Sequence, residues 1–293
     1  MTQRELVLVL SSAVLHAAWN VAAKRNGQPA AFLCLLIGLT GVATVALLPL
    51  VPAVVWSSSI GLWLFFSSAL HGLSFIALAR AYERADLSIV YPISRSTPAL
   101  VPLFAVPWLG ERLSLVGVFG IALTLIGMWL VQTGGALRRS ALLNRSSVWA
   151  YVLLLITTGF SITDKRLMGF LNDMPWDSPL PRAVVGYLLP TMGAALVVLP
   201  YALKFIGVRA LGETLKTRPS WVIGAALATF VSYALTLEAL RTAQVSYVVA
   251  VRQCSVLFAV GLAVWALRET VTLGRVLGAL GTVTGVAIIA LYA

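Results

Sequence analysis

The chain has 293 residues, 60% of them hydrophobic and 11% charged, with a formal net charge of +11. Soluble domains carry about 25% charged residues, so these figures exclude a sizeable soluble domain and leave an integral membrane protein. The positive charge sits in short loops between apolar stretches, where it sets topology and meets anionic lipid, and so does not point to nucleic acid.

Ten apolar segments follow one another, at about 5–23, 30–50, 60–79, 87–108, 113–133, 148–168, 181–203, 220–240, 245–267 and 272–292. Most approach the roughly 20 residues that a helix needs to cross a bilayer. Membrane barrel strands would instead alternate in segments of about ten residues. The fold class read here is an all-α integral membrane protein with ten transmembrane helices. Residues 5–23 run on to Lys24-Arg25 with no basic leader, so no cleavable signal peptide is read. Cys34 and Cys254 both fall inside apolar segments, so neither a disulfide framework nor a metal site is legible.

Segment 1 carries His16, Trp19 and Asn20 at spacings that share one helix face. His71 and Ser74 do the same on segment 3. A histidine facing a bundle interior can relay protons, or it can simply bond between helices. Segment 4 is unusual: Tyr91 and Arg95 share it with Pro92, Pro98, Pro102 and Pro107. Each proline removes a helix donor and frees a carbonyl four residues back. Broken backbone at membrane depth is tolerated where it is buried in protein or lines a cavity. The prolines alone are equally consistent with a kinked packing helix; Arg95 and Tyr91 favour a cavity wall.

The long connection Gly134 to Ser147 divides the segments into five and five. The expected organisation is a first repeat at 1–135, a basic linker at 136–147 and a second repeat at 148–293. An offset of 158 superposes Ala81 on Ala239, Ala85 on Ala243 and Ser88 on Ser246. It also superposes Leu109-x-Glu111 on Leu267-x-Glu269, Gly120 on Gly278 and Gly127 on Gly285. An offset of 141 puts Lys24-Arg25 on Lys165-Arg166. An odd number of spans per half makes the second half enter the membrane inverted, a transporter architecture with its site near the midplane.

Segment 6 ends near Asp164 and segment 8 near Glu238, the two acidic residues that read as deep enough to neutralise a buried cation. Segment 9 carries Arg252-Gln253, which fall on Ser94-Arg95 under the repeat. Arg95 and Arg252 thus occupy corresponding spans, one residue out of register. Each is about eight residues into its segment, roughly 12 Å deep at 1.5 Å per residue. A central arginine costs at least roughly 2.5 kcal/mol on insertion scales. Its planar fork suits a bidentate contact with carboxylate or phosphate. Segment 10 is striped by Gly274-x3-Gly278 and Gly281-x3-Gly285, spacing that permits close helix contact within the chain or in a dimer.

The connections after segments 1, 3, 5, 7 and 9 hold thirteen Lys/Arg, from Lys24 to Arg275. The opposite side holds five: Arg4, Arg112, Lys165, Arg166 and Arg241. The positive-inside rule then places both termini outside.

Over nearly its whole length the chain resembles the EamA family of the drug/metabolite transporter superfamily. The likeness rests on the duplicated ten-span plan and on the repeated endings of spans 4 and 9, here WLGERLSLVGVFGIALTLIG and WALRETVTLGRVLGALGTVTG. It also resembles a subgroup with His-Ala-x-Trp-Asn in span 1, Tyr-Pro-x-x-Arg in span 4 and an Asp near the end of span 6. His16, Ala17, Trp19, Asn20, Tyr91, Pro92, Arg95 and Asp164 match that pattern. The subgroup's Arg-Glu-x-Ser in span 9 is here Arg252, Gln253, Cys254, Ser255, so the glutamate beside the arginine is lost. The resemblance implies secondary transport of small metabolites, often export, in the cell (inner) membrane. Family members are usually drawn with both termini in the cytoplasm, opposite to the charge count above. Some relatives are associated with phosphonate utilisation.

The expected function is therefore secondary transport of a small anionic or zwitterionic metabolite by alternating access. Arg95, Arg252, Tyr91, Gln253, Trp19, Asn20, His16 and His71 are the expected substrate-binding residues. Asp164 and Glu238 are the expected coupling or ion-pair residues. No cofactor, metal or catalysis is expected. The expected partners are a small-molecule substrate and the bilayer, with the chain a monomer or homodimer. Export of amino acids or of cationic or aromatic compounds is the alternative within transport. A membrane-embedded enzyme acting on lipid phosphates is the alternative outside it, although no cluster of carboxylates or nucleophile–base pair is legible.

Overall fold

A computed structural model describes residues 1–25, 28–56, 58–84, 87–134, 144–267 and 272–292. Among them the regular elements are all helical. The first part of the chain forms α1 (Gln3–Arg25), α2 (Pro29–Leu47), α3 (Ser58–Arg84), α4 (Leu87–Ser94), α5 (Thr97–Leu109) and α6 (Leu115–Thr133). The second part forms α7 (Val148–Asp173), α8 (Arg182–Tyr201), α9 (Val208–Thr217), α10 (Pro219–Leu240), α11 (Val245–Val251), α12 (Cys254–Leu267) and α13 (Leu273–Tyr292). Residues 136–143 of the expected linker lie outside the described residues, as does Glu269. Among the described residues, seven stretches are long and apolar enough to cross a membrane: Pro29–Leu50, Ile60–Arg84, Ile89–Leu109, Leu115–Thr133, Arg182–Ile206, Pro219–Leu240 and Leu273–Tyr292.

The bundle distributes its side chains for a lipid solvent. Leu62, Phe65, Leu103, Phe119, Leu196 and Leu227 point outward and are exposed. Ser12, Thr44, Ser67, Thr124, Asp164 and Thr282 are buried. In an apolar solvent, buried polar groups must find partners between or within helices. Ser12 on α1 accordingly shares its hydroxyl with Ser232 at 3.1 Å and Thr236 at 2.7 Å on α10.

The closest helix pair is α6 against α13. A Cβ added at Gly278 would stand 2.6 Å from the Gly127 carbonyl oxygen, and one at Gly120 would stand 3.0 Å from the Gly285 carbonyl oxygen. The two helices run antiparallel, and backbone lies on backbone along the seam. Thr124 and Thr282 sit within it and donate to the carbonyls four residues back, Gly120 at 2.8 Å and Gly278 at 2.9 Å. The glycine stripe of the last helix thus packs inside the chain.

Two of the expected spans are broken in the middle. Span 4 divides between Ser94 and Thr97, and Arg95 lies in the break. Pro98 lacks the N–H that would bond the Ser94 carbonyl, which takes the Thr97 hydroxyl at 3.4 Å instead. Span 9 divides between Val251 and Cys254, at Arg252-Gln253, without any proline. There the ladder tightens to i→i+3 bonds, from Gln253 N–H to the Ala250 carbonyl (3.0 Å), Ser255 N–H to Arg252 (3.1 Å) and Val256 N–H to Gln253 (2.9 Å).

Because backbone fills the α6–α13 seam, Gly278→Leu is expected to destabilise the protein by about 1–3 kcal/mol or more through overpacking. Gly38→Ala, where an added Cβ meets nothing within 4 Å, is expected to leave stability nearly unchanged. Thermal unfolding in detergent checks both; equal melting temperatures for the two variants would contradict the seam.

Candidate functional site

The two helix breaks face one internal cavity of about 180 Å³. His16, Trp19 and Asn20 from α1 line it, with His71 from α3, Tyr91 from α4, Arg95 from the first break, and Arg252 and Gln253 from the second. All eight residues expected from sequence to bind substrate therefore meet at one place. A second space of about 190 Å³ shares Trp19, Asn20, Leu78, Tyr82 and Tyr91 with the first and continues past Ala23, Pro29 and Leu33. It runs towards the α1–α2 connection, on the lysine- and arginine-rich side.

His16 lies between the arginines. Arg95 Nη1 is 2.7 Å from His16 Nε2, and Arg252 Nη2 is 3.2 Å from His16 Nδ1. The His16 ring is held edge-on to Trp19, with centroids 5.0 Å apart. Asn20 donates to the His16 carbonyl at 2.7 Å. Each guanidinium also lies over a tyrosine ring, Arg252 over Tyr233 at 5.0 Å and Arg95 over Tyr91 at 6.0 Å. Three atoms of the lining are buried without a hydrogen-bond partner in the protein: Trp19 Nε1, Arg252 Nε and Gln253 Oε1.

Neither Asp164 nor Glu238 makes a direct ion pair with Arg95 or Arg252. Asp164 is 1% exposed and takes three other donors: Ser67 Oγ at 2.6 Å, Tyr233 Oη at 2.5 Å and His71 Nε2 at 2.9 Å. His71 stacks on Phe160 at 4.4 Å, which holds it on the carboxylate. Glu238 sits in the last turn of α10, where Arg4 (2.9 Å) and Arg241 (2.9 and 3.1 Å) reach it from the rim. Among the described residues no carboxylate forms an ion pair with Arg95 or Arg252.

Away from the lysine-rich side, a belt of polar contacts closes the bundle. Thr2 and Glu5 form a reciprocal capping box at the start of α1, Thr2 N–H to Glu5 at 2.7 Å and Glu5 N–H to Thr2 at 3.3 Å. Glu5 also accepts from Thr242 at 2.5 Å. Lys165 donates to the Leu240 and Ala243 carbonyls at 2.7 and 2.8 Å, placing a cation at the carbonyl end of α10. Gly110, at φ 67°, turns the chain out of α5 in a left-handed conformation that glycine adopts without strain. Glu111 then caps the start of α11, accepting from the Val245 and Ser246 amides and from Ser246 Oγ at 2.6 Å.

Sequence reading missed Tyr233, Tyr82, Phe160, Thr157 and Ser161, all of which line the cavity. A signal was present. Residues 157, 161 and 164 on α7 are polar at i, i+4 and i+7, as are 67, 71 and 74 on α3 and 229, 233 and 236 on α10. That spacing puts each set on one helix face.

The family model for EamA-like transporters matches residues 3–133 and 183–291. A solved crystal structure of a protein with 18% sequence identity superposes with a TM-score of 0.75, covering 100% of this chain and 99% of that one. At that identity the likeness concerns the fold alone.

Asp164→Ala is expected to lower stability by about 3 kcal/mol or more, because three buried donors lose their charged acceptor. Tyr233→Phe removes one of the three and is expected to cost about 1.5 kcal/mol. Thermal unfolding of the purified variants reads both effects, and a wild-type melting temperature for Asp164→Ala would contradict the network.

Proposed function

We propose, for a chain that belongs to the EamA-like transporter family, secondary transport of a small anionic or zwitterionic metabolite of carboxylate, phosphate or phosphonate type. The observation that carries the reading is the pair of intramembrane arginines, which share one cavity and have no ion-pair partner among the described residues. A buried cation with no carboxylate in direct contact is expensive, and an anion entering between the two supplies that contact. Tyr91, Trp19 and Asn20 shape the pocket around that anion. His71 and Asp164, hydrogen-bonded at its edge, are the groups we assign to proton coupling, with exchange as the other mode.

The architecture in this proposal is ten spans in two inverted halves of five, at 1–135 and 148–293, joined by a basic linker. Three further crossings, α1, α7 and the broken pair α11–α12, join the seven apolar stretches to make ten. The α6–α13 seam supports the inversion. Gly120, Thr124 and Gly127 correspond to Gly278, Thr282 and Gly285 under the offset of 158. A Cβ at Gly120 would meet the Gly285 carbonyl and one at Gly285 the Thr124 amide, while Gly127 and Gly278 face each other. Corresponding residues that exchange contacts in this way are what a two-fold axis produces.

Transport then follows alternating access, with the halves rocking about the midplane site. The cavity's extension towards the lysine-rich side and the polar belt on the other describe one end of that cycle. We place the chain in the cell (inner) membrane with both termini outside, from the thirteen-to-five charge asymmetry. With that orientation the cavity extends towards the cytoplasm.

Screening small acids, amino acids, phosphates and phosphonates by thermal shift identifies a ligand for reconstitution. In proteoliposomes Arg95→Ala and Arg252→Ala are each expected to reduce its flux by roughly a hundredfold, about 2.7 kcal/mol for a lost charge-assisted contact. Circular dichroism of the same preparations shows that they fold. Wild-type flux through both variants would sink the proposal.

A further inference from the structure

We propose that the bound species is a dianion, held by Arg95 and Arg252 at once, and that His16 is a displaceable occupant of its place. The inference rests on the anion-transport reading above and narrows the ligand it requires.

The argument begins with the imidazole. Arg95 Nη1 approaches His16 Nε2 at 2.7 Å and Arg252 Nη2 approaches His16 Nδ1 at 3.2 Å. Arginine nitrogens only donate. A neutral imidazole has one lone pair and one N–H, so it accepts from one arginine and turns a hydrogen towards the other. An imidazolium accepts from neither and adds a third positive charge. In every tautomer, therefore, at least one of the two contacts sets donor against donor. Arg252 Nε is in addition buried without a partner. The site as built lacks acceptors, and lacks them on both guanidiniums.

A ligand with one negative charge balances one guanidinium and leaves the second cation uncompensated. A ligand with two negative charges, either on one tetrahedral headgroup or on two carboxylates, accepts from both. It must occupy the space between the guanidiniums, where the imidazole now lies. The His16 ring leans edge-on against Trp19, and no hydrogen bond beyond the two arginines holds it among the contacts the structure records.

Two further features limit the ligand. The space at the arginines, about 180 Å³, is little larger than the roughly 150 Å³ that holds a benzene ring, so the group held between them is small, whatever extends into the adjoining space. Gln253 is 6% exposed and donates Nε2 to the Val249 carbonyl at 3.1 Å. That bond fixes the amide orientation and leaves Oε1 as a buried acceptor without a donor. A hydroxyl or ammonium group on the dianion would complete it.

The test uses the purified full-length protein at pH 8 and matched probes. Succinate is compared with its monoamide succinamate, and methyl phosphate with dimethyl phosphate; affinity is read by titration calorimetry. Each dianion is expected to bind at least roughly tenfold tighter than its monoanionic partner, the share of one charge-assisted hydrogen bond. Which pair shows the larger ratio separates a dicarboxylate from a single phosphate-type headgroup. Arg95→Gln and Arg252→Gln are each expected to bring the ratio close to one. His16→Ala, which removes the occupant, is expected to tighten dianion binding by roughly tenfold, whereas a direct histidine contact to the ligand predicts weakening. Equal affinity for the two members of both pairs, or weaker dianion binding in His16→Ala, overturns the inference while leaving anion transport standing. Failure of every probe to bind overturns the inference, while the flux of Arg95→Ala and Arg252→Ala decides the anion-transport reading separately.

Discussion

The structure is organised around a charge imbalance at its centre. Two guanidiniums stand in an apolar bundle with one imidazole between them, and the nearest buried carboxylate, Asp164, is occupied by Ser67, His71 and Tyr233. Arginine does not discharge in proteins. The surroundings must therefore supply acceptors, aromatic faces and exposed backbone. The breaks between α4 and α5 and between α11 and α12 place an arginine at each interruption, and Tyr91 and Tyr233 offer ring faces beneath them. The cavity is what remains where regular helix packing is given up to hold these groups.

The same logic explains the separation of the two acidic residues. Asp164 is surrounded by neutral donors and a histidine, so its charge is held locally by hydrogen bonds. Glu238 is at a helix end and is reached by Arg4 and Arg241 from the rim, where long side chains can extend towards water. One carboxylate belongs to the interior network and the other to the closure of one face. Neither forms a direct ion pair with the central arginines.

Much of this was legible in the sequence, for identifiable reasons. Ten apolar runs and paired glycines follow from spacing and composition alone. The break at Arg95 was readable because four prolines surround it. The break at Arg252 was not, because a tightened turn without proline leaves no mark on residue type. His16, Trp19 and Asn20 could be grouped because a helix brings i, i+3 and i+4 together. The partners of Asp164 could not be named, because Ser67, His71 and Tyr233 come from helices 69 to 97 positions away along the chain. Glu238 was read too deep, since the number of residues from a segment end does not say whether the last turn dips into the bundle or reaches its surface.

The seam between α6 and α13 carries a mechanical consequence. Glycine backbones touch at two levels, and Thr124 and Thr282 interlock between them. Sliding one helix along the other would drive a side chain into the carbonyl where a glycine now sits. In the alternating-access cycle proposed above, the seam is the contact about which the two halves turn, because it fixes how closely α6 and α13 approach.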